Sequence, residues 1–573
     1  MSSLSQDLTL EEQIGQLLIV GFPGTSPTPE LIELIQRHHV GNIILFSRNI
    51  RSARQLHELT SRLQELAREG GQRFPLLIAI DQENGMVQRL SKNSRMPGEA
   101  GANAPSSQAD GTTASAPVRE ATIFPGNMTL GAIGSAEDAY EVALAAGREM
   151  HALGINLNLA PVVDVNNNPS NPVIGVRSFG EDPQEVARLA CAQIRGYQQA
   201  GVATCIKHFP GHGDTATDSH LGMPVVPYAL ERLERLELLP FKSGIAAGSD
   251  CVMTAHISFP ALMGETNLPA TLSPEVIDQL LRQQLGFQGV IMTDCLEMNA
   301  VSEAVGVGRG TVLAQLAGND LILISHRYER QLSGLEALKA ALQRGEIAPE
   351  RIRESAERVL ALKERLRSRA ESQTSAQELA WVGCEAHRQL REQIYERAVT
   401  LVRDTPGVLP LRLEPEQHLL VVYTHRDIWT QVEDQGYPEE FLVASLHQHH
   451  AHTTPIVLSE QTTPAEYEQL YHVAQTADAI LMVTINALLD QRQVTVMQRL
   501  LATGRPLLGL AAYSPYDLLA FSELGTYLVT YEYTQPAIAA AIRALFGSIQ
   551  PHGKLPVSLP GLYSRDLKAV DHA

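Results

Sequence analysis

A parallel α/β barrel followed by a second α/β domain is the architecture this sequence predicts. Three observations lead there. Between residue 10 and about residue 325, eight short aliphatic runs alternate with helix-length amphipathic segments. Polar and titratable residues stand directly after five of those runs. Beyond residue 400 a further set of apolar runs appears, set off from the first by a polar stretch.

The eight runs are Leu17–Val20, Asn42–Phe46, Leu76–Ile80, Ile155–Leu159, Thr204–Ile206, Cys251–Thr254, Val290–Thr293 and Leu321–Ile324. They are aliphatic nearly throughout, as strands covered on both faces must be. Eight parallel strands separated by helices close a (β/α)8 barrel of the TIM type. A doubly wound open sheet is the rival arrangement. The barrel is favoured because Asp81-Gln82-Glu83, Pro161 to Asp164, Lys207-His208, His256 and Asp294 then converge on one rim, where the strands' carboxyl ends collect catalytic groups.

At the N-terminus, Thr9-Leu10-Glu11-Glu12 reads as a capping box that opens a helix rather than as part of a signal peptide. Residues 93–121 are rich in Ala, Ser, Gly and Pro and have no hydrophobic period, the mark of a flexible insertion. A disordered surface loop is preferred there over a lid. Residues 368–377 are polar and read as an interdomain linker. The expected organisation is therefore a catalytic barrel over 1–367, a linker over 368–395 and an α/β domain over 396–573. In that last domain, runs at Leu419–Tyr423, Ile456–Leu458, Ile480–Thr484, Leu507–Ala511 and Tyr527–Val529 predict an open parallel sheet. No G-x-G-x-x-G follows its first strand, so no dinucleotide is assigned.

Composition narrows the function. At 573 residues the chain exceeds one hydrophobic core. Its 64 acidic and 45 basic side chains give a net charge of −19 with no basic run, which argues against nucleic acid as a partner. A neutral or weakly charged small substrate fits better. No window is long and apolar enough for a membrane span. The five cysteines are scattered and form no C-x-x-C pair; the expectation is reduced, mostly buried thiols and a cytoplasmic protein. No cofactor and no metal is expected. His447 to His452 carries four histidines but no carboxylate or Cys at ligand spacing, so a solvated turn is preferred there.

The densest chemistry lies in Lys207-His208-Phe209-Pro210-Gly211-His212-Gly213-Asp214-Thr215-Ala216-Thr217-Asp218-Ser219-His220, with three His, two Asp and one Lys. Such a group of titratable side chains on one loop at a strand end is what acid/base chemistry requires. Asp218 and His220, two residues apart, are able to face one cleft, where a carboxylate orients an imidazole and raises its basicity. Metal ligation is disfavoured because no H-x-H or H-E-x-x-H closes a site. Lys207, directly after a buried strand, is expected to point inward, and His212, between two glycines, is as well explained by loop hydrogen bonding.

This segment resembles the signature loop of the β-N-acetylglucosaminidases of glycoside hydrolase family 3. Three more segments follow the family's pattern in order: Asp81 to Arg89 (D-Q-E-N-G-M-V-Q-R), Val173 to Gly180 (V-I-G-V-R-S-F-G) and Val290 to Asp294 (V-I-M-T-D). The resemblance implies retaining, exo-acting removal of terminal β-linked N-acetylhexosamine. Asp294 becomes the nucleophile, and His220 paired with Asp218 the acid/base. Asp81, Arg89, Arg177, Lys207 and His208 bind the sugar. A His in the second role keeps a pKa near the operating pH and does not repel Asp294 as a second carboxylate would.

Glu83 reads as a structural ion pair and Glu297 as structural; both are left out of the site. Asn84 and Met86 depart from the family's Gly and basic residue. Glu396 to Val399, Leu409 to Leu411 and Gly553 to Val557 resemble the second domain of longer members, for which a structural or dimer-forming role is expected. A phosphorylase with the same residues and an inactive carbohydrate-binding protein are the alternatives; a metallohydrolase is disfavoured, with no loss of activity expected on chelation.

Overall fold

The computed structural model describes residues 4–91, 120–215, 222–264, 268–370, 379–425, 432–433 and 440–565. The chain divides into two compact units, one of residues 1–83, 87–90 and 134–383, the other of 84–86, 91–133 and 384–573.

The first unit is the barrel. Its strands are β1 (Leu18–Val20), β2 (Asn42–Leu45), β3 (Leu77–Ile80), β4 (Leu157–Asn158), β5 (Ala203–Phe209), β6 (Cys251–Thr254), β7 (Val290–Thr293) and β8 (Ile322–Ile324). Each of the eight predicted runs contains or overlaps one of them. The order runs β7-β6-β5-β4-β3-β2-β1-β8, all parallel. A single parallel bridge, Met292 to Leu321, joins β7 to the start of β8 and completes the ring. The interior is filled, not hollow: Ile19, Ile44, Ala79, Leu157, Met253 and Met292 belong to one fully buried cluster. Each of the Ile, Leu and Met side chains contributes about 1.5–3 kcal/mol by leaving water.

One end of the barrel is shut by the helix Pro349–Ala370, whose Val359, Leu362 and Leu366 join that cluster. Buried Lys363 on this helix donates to Gln16 Oε1 (2.6 Å) and to the carbonyl of Gly41 (2.7 Å), just before β2. Burial alone pushes its ammonium down to about 7. Asp320, just before β8, accepts from Ser355, Arg358 and Arg282. Polar ties at the strands' N-terminal ends leave the carboxyl ends as the open face. The entry to the unit is the expected capping box: Thr9 Oγ1 accepts from Glu12 N–H and Thr9 N–H donates to Glu12 Oε2.

The second unit holds β9 (Thr400–Asp404), β10 (Leu419–Thr424), β11 (Thr453–Leu458), β12 (Ala479–Thr484), β13 (Leu507–Ala511) and β14 (Thr526–Val529). The order is β11-β10-β12-β13-β14-β9, parallel except for β9. The five parallel strands are the predicted runs. β9 was not predicted; only its first residue is buried, so it carries neither a continuous apolar run nor a clean alternation.

Three of the four histidines between His447 and His452 have a protein partner or a stacking neighbour. His449 stacks on Phe546, His450 Nε2 donates to the Gln417 carbonyl, and His452 donates to that of Glu416 while lying against His418. The predicted insertion at 93–121 lies, except for Glu120 and Ala121, outside the described residues, as does most of the polar stretch at 368–377. Among the described residues no helix is long and apolar enough to cross a membrane.

Candidate active site

The open face gathers charge from three strands. β3 ends at Ile80 and delivers Asp81, Gln82 and Glu83. β5 is longer than its apolar core indicates: it continues to Phe209, so Lys207 and His208 project from the strand itself. Arg177 arrives from a short 3-10 turn after β4. Lys207 Nζ lies 2.7 Å from Asp81 Oδ1 and 2.7 Å from Glu83 Oε1. Arg177 grips Glu83 with two parallel bonds of 2.8 Å and donates to the Val173 carbonyl.

The side chains of Glu83, Arg177 and Lys207 are each at most 4 % exposed. Burial works against every one of these charges, and their mutual attraction overrides it. Glu83 is held far below the usual carboxylate range by Arg177 and Lys207, and both cations are held above theirs by the carboxylates. Two basic and two acidic side chains bonded to one another make a cluster whose donors are fixed in advance, which is the requirement for recognising a polyhydroxylated ring without reorganisation.

A second cluster adjoins the first. Asp164, fully buried after β4, accepts from His208 Nδ1 at 2.7 Å, from the backbone N–H of His208, and from that of His212 at 2.7 Å. Those partners hold its carboxyl below the ordinary value against the cost of burial. Arg177 Nη2 lies 3.4 Å from His208 Nε2. A guanidinium has no acceptor, so in that contact Nε2 accepts, while Nδ1 donates to Asp164.

The signature loop leaves β5 through Pro210 and is pinned where glycine is required. Gly211 has φ +137°, and a Cβ on Gly213 would lie 1.8 Å from the Val165 carbonyl oxygen. Asn171 Nδ2 donates to the carbonyls of His212 and Gly213, and Asp214 binds Asn167 and Arg232. His212 Nδ1 lies 2.8 Å from Thr215 Oγ1. Asp218 and His220 lie outside the described residues.

Burial, with His208 beside it, pushes His212 down to about 4. The unfolded chain binds a proton there near pH 6.5 that the native chain refuses. Stability from this group is complete above about pH 6.5 and is lost as pH falls toward 4, by up to about 1.4 kcal/mol per pH unit. A melting-temperature series from pH 8 to 4.5 is expected to fall through that window, and His212→Gln to fall less steeply. Parallel curves for the two proteins would refute the assignment.

Asp294 stands at the end of β7, half-buried. Its N–H donates to the Thr254 carbonyl of β6, and its Oδ1 accepts from Cys295 N–H at 2.7 Å. His256, at the end of β6, is buried and donates from Nε2 to the Cys295 carbonyl (3.0 Å). It therefore fixes the backbone beside Asp294 and does not face the cleft as a reacting group. Burial pushes the Cys295 thiol up to about 12, and all five cysteines are free.

Of the predicted residues, Asp81, Arg177, Lys207 and His208 form one continuous hydrogen-bonded cluster. Arg89 is buried on the segment after β3, its N–H donating to Gln82 Oε1 (2.9 Å). Two site residues escaped the sequence. Glu83 reads as structural in sequence, and it is, yet it is the hub that orients Arg177 and Lys207. Asp164 was noticed only as a strand-end residue; its partner His208 is 44 positions away, a distance no local spacing reveals. The departure at Asn84 has a backbone reason: its φ is +70°, a region that asparagine tolerates better than most residues other than glycine.

Comparison with known proteins agrees with this geometry. The family described as Glycosyl hydrolase family 3 N terminal domain matches residues 9–116 and 106–362. The chain is 32% identical to beta-hexosaminidase A of Pseudoalteromonas piscicida, over 96% of this chain and 97% of that one. It is 37% identical to a beta-hexosaminidase of Xylella fastidiosa over 54% of this chain and 83% of the relative. A solved structure of a glycoside hydrolase family 3 beta-N-acetylglucosaminidase from Paenibacillus sp. str. FPU-7 superposes with a TM-score of 0.86 at 41% identity, covering 96% of this chain and 99% of the other. With its barrel matched almost end to end and a relative aligned over nearly its whole length, this chain is a glycoside hydrolase and belongs to glycosyl hydrolase family 3.

Proposed function

We propose that the enzyme removes terminal β-linked N-acetylhexosamine, N-acetylglucosamine above all, from non-reducing ends with retention of configuration. The observation that carries this reading is the largely buried, mutually bonded cluster of Asp81, Glu83, Lys207 and Arg177 on the face where Asp294 also stands. Asp81 and Lys207 suit ring hydroxyls, Arg89, Arg177 and His208 suit hydroxyl and carbonyl oxygens, and Asp294 is the carboxylate that attacks the anomeric carbon. His220, oriented by Asp218, protonates the leaving oxygen and then activates water. The names of the relatives support the substrate class. The chemistry belongs to residues 1–367. Residues 396–573 take a structural or dimer-forming role, and the scattered free cysteines support a cytoplasmic location.

Proton NMR of the first turnover tests the mechanism. The β-anomer of free N-acetylglucosamine is expected before mutarotation; the α-anomer would exclude a covalent intermediate on Asp294. The same reaction in phosphate buffer is expected to give free sugar, and accumulation of sugar 1-phosphate would make phosphate the acceptor. A panel of muropeptide-type disaccharides and chitin oligomers then ranks the natural substrates.

A further inference from the structure

Beside Asp294 the barrel rim carries three side chains of mixed chemistry, two from the segment after β7 and one from that after β8, that the proposed hydrolysis does not use. Among the described residues, Cys295, Glu297 and His326 are the group of His, Cys, Asp or Glu whose ligand atoms all lie within 4.8 Å of one another. Two elements bring them together: Cys295 and Glu297 follow β7, and His326 follows β8.

Glu297 supplies an independent sign of a ligand. Its side chain is only 5 % exposed. Oε2 accepts from His326 N–H at 2.6 Å, but Oε1 is buried and takes no hydrogen bond. Arg330 Nε stands 4.0 Å from Oε1, too far for one. A buried carboxylate oxygen in that condition costs free energy unless something positive occupies the space before it. The site is also reachable. His326 is exposed and lines a cavity of about 620 Å³ together with Phe22, Tyr328 and Gln331, and its ring lies 5.2 Å from that of Phe46.

We propose that Cys295, Glu297 and His326 form a binding site for a thiophilic divalent cation of the zinc type, and that occupancy slows the enzyme. One sulfur, one nitrogen and one carboxylate oxygen are the donors such ions choose, with the fourth tetrahedral position open to water from the cavity. Tetrahedral zinc sets its ligand atoms about 3.5 Å apart, so the three atoms need close by roughly an ångström, which the exposed His326 ring supplies by rotation. Binding releases the thiol proton to solvent; the thiolate and carboxylate together then neutralise the dication. Hard cations such as magnesium, which prefer oxygen ligands and six-fold geometry, do not fit.

The slowing, unlike the binding, rests on the role given to Asp294. Coordination pulls on Cys295, whose N–H holds Asp294 Oδ1, and sets positive charge beside the carboxylate that must attack.

Cobalt(II) titration of the full chain tests the binding without reference to turnover. The expected result is one ion per chain with a thiolate-to-cobalt charge-transfer band. Cys295→Ser is expected to abolish that band, and His326→Ala, at an exposed position, to weaken binding at least tenfold. Zinc is expected to inhibit the wild type. His326→Ala should raise the half-inhibiting concentration tenfold or more while changing the metal-free rate less than threefold. The proposal is overturned if no band forms, if the band survives both substitutions, or if saturating zinc leaves the rate unchanged. A failed Asp294 assignment would leave the cobalt band intact, so the two outcomes are distinguishable.

Discussion

Asp294→Ala is expected to lower kcat/KM for p-nitrophenyl β-N-acetylglucosaminide by about 10⁴-fold or more, with the fold intact. Alanine offers no lone pair to the anomeric carbon, so the glycosyl-enzyme does not form. What remains is the rate supported by binding and by the acid. Structure suffers little, because Asp294 is half-buried and its backbone bond to Thr254 does not depend on the side chain. Azide, small enough to occupy the vacated space, is expected to restore part of the release and to give a glycosyl azide of inverted configuration. A variant within tenfold of wild type, measured by p-nitrophenol absorbance, would remove Asp294 from the mechanism. Inactivity with no azide rescue, in a variant that unfolds at the wild-type temperature, would confine Asp294 to binding.

The barrel was legible because its logic is local. Strands covered on both faces must be apolar throughout, and a run such as Val290 to Thr293 announces itself without knowledge of its neighbours. The polar residue that ends each run is legible for the same reason. β9 was missed because an edge strand with one buried residue has no such signature, and its antiparallel pairing to β14 is settled by tertiary contact. β5 was cut short at Ile206 because Lys207 and His208 look like a loop. They remain in the strand since their polar side chains are bonded by the carboxylates that follow β3 and by Asp164.

The site's roles separate along the same line. Residue types at strand ends identify which groups face the opening, but not which group holds which. Glu83 illustrates the limit. In sequence it is one acidic residue in D-Q-E-N-G; in space it pairs with both Arg177 and Lys207. Bonds that close over 94 and 124 residues of intervening chain are fixed by the barrel's register, which periodicity does not encode.

That arrangement makes Glu83→Ala the substitution with the largest expected cost in stability, about 3–5 kcal/mol, because it strands a buried guanidinium. Lys207 keeps Asp81 at 2.7 Å, whereas Arg177 loses both of its bonds to Glu83 and keeps its bond to the Val173 carbonyl and the long approach to His208. Glu83→Gln is expected to be nearly as damaging, since its amide N–H₂ must face one of two donors. Activity should fall with stability, for Arg177 and Lys207 are no longer aimed. The deciding measurement is a double-mutant cycle by urea unfolding. Removing the stranded charge as well, in Glu83→Ala/Arg177→Ala, is expected to recover stability relative to Glu83→Ala alone, with a coupling of about 1–3 kcal/mol. Strict additivity of the two losses would mean that the pair is not a unit. In that case the charges around it, Asp81 and Lys207 included, would have to be rigid without the hub.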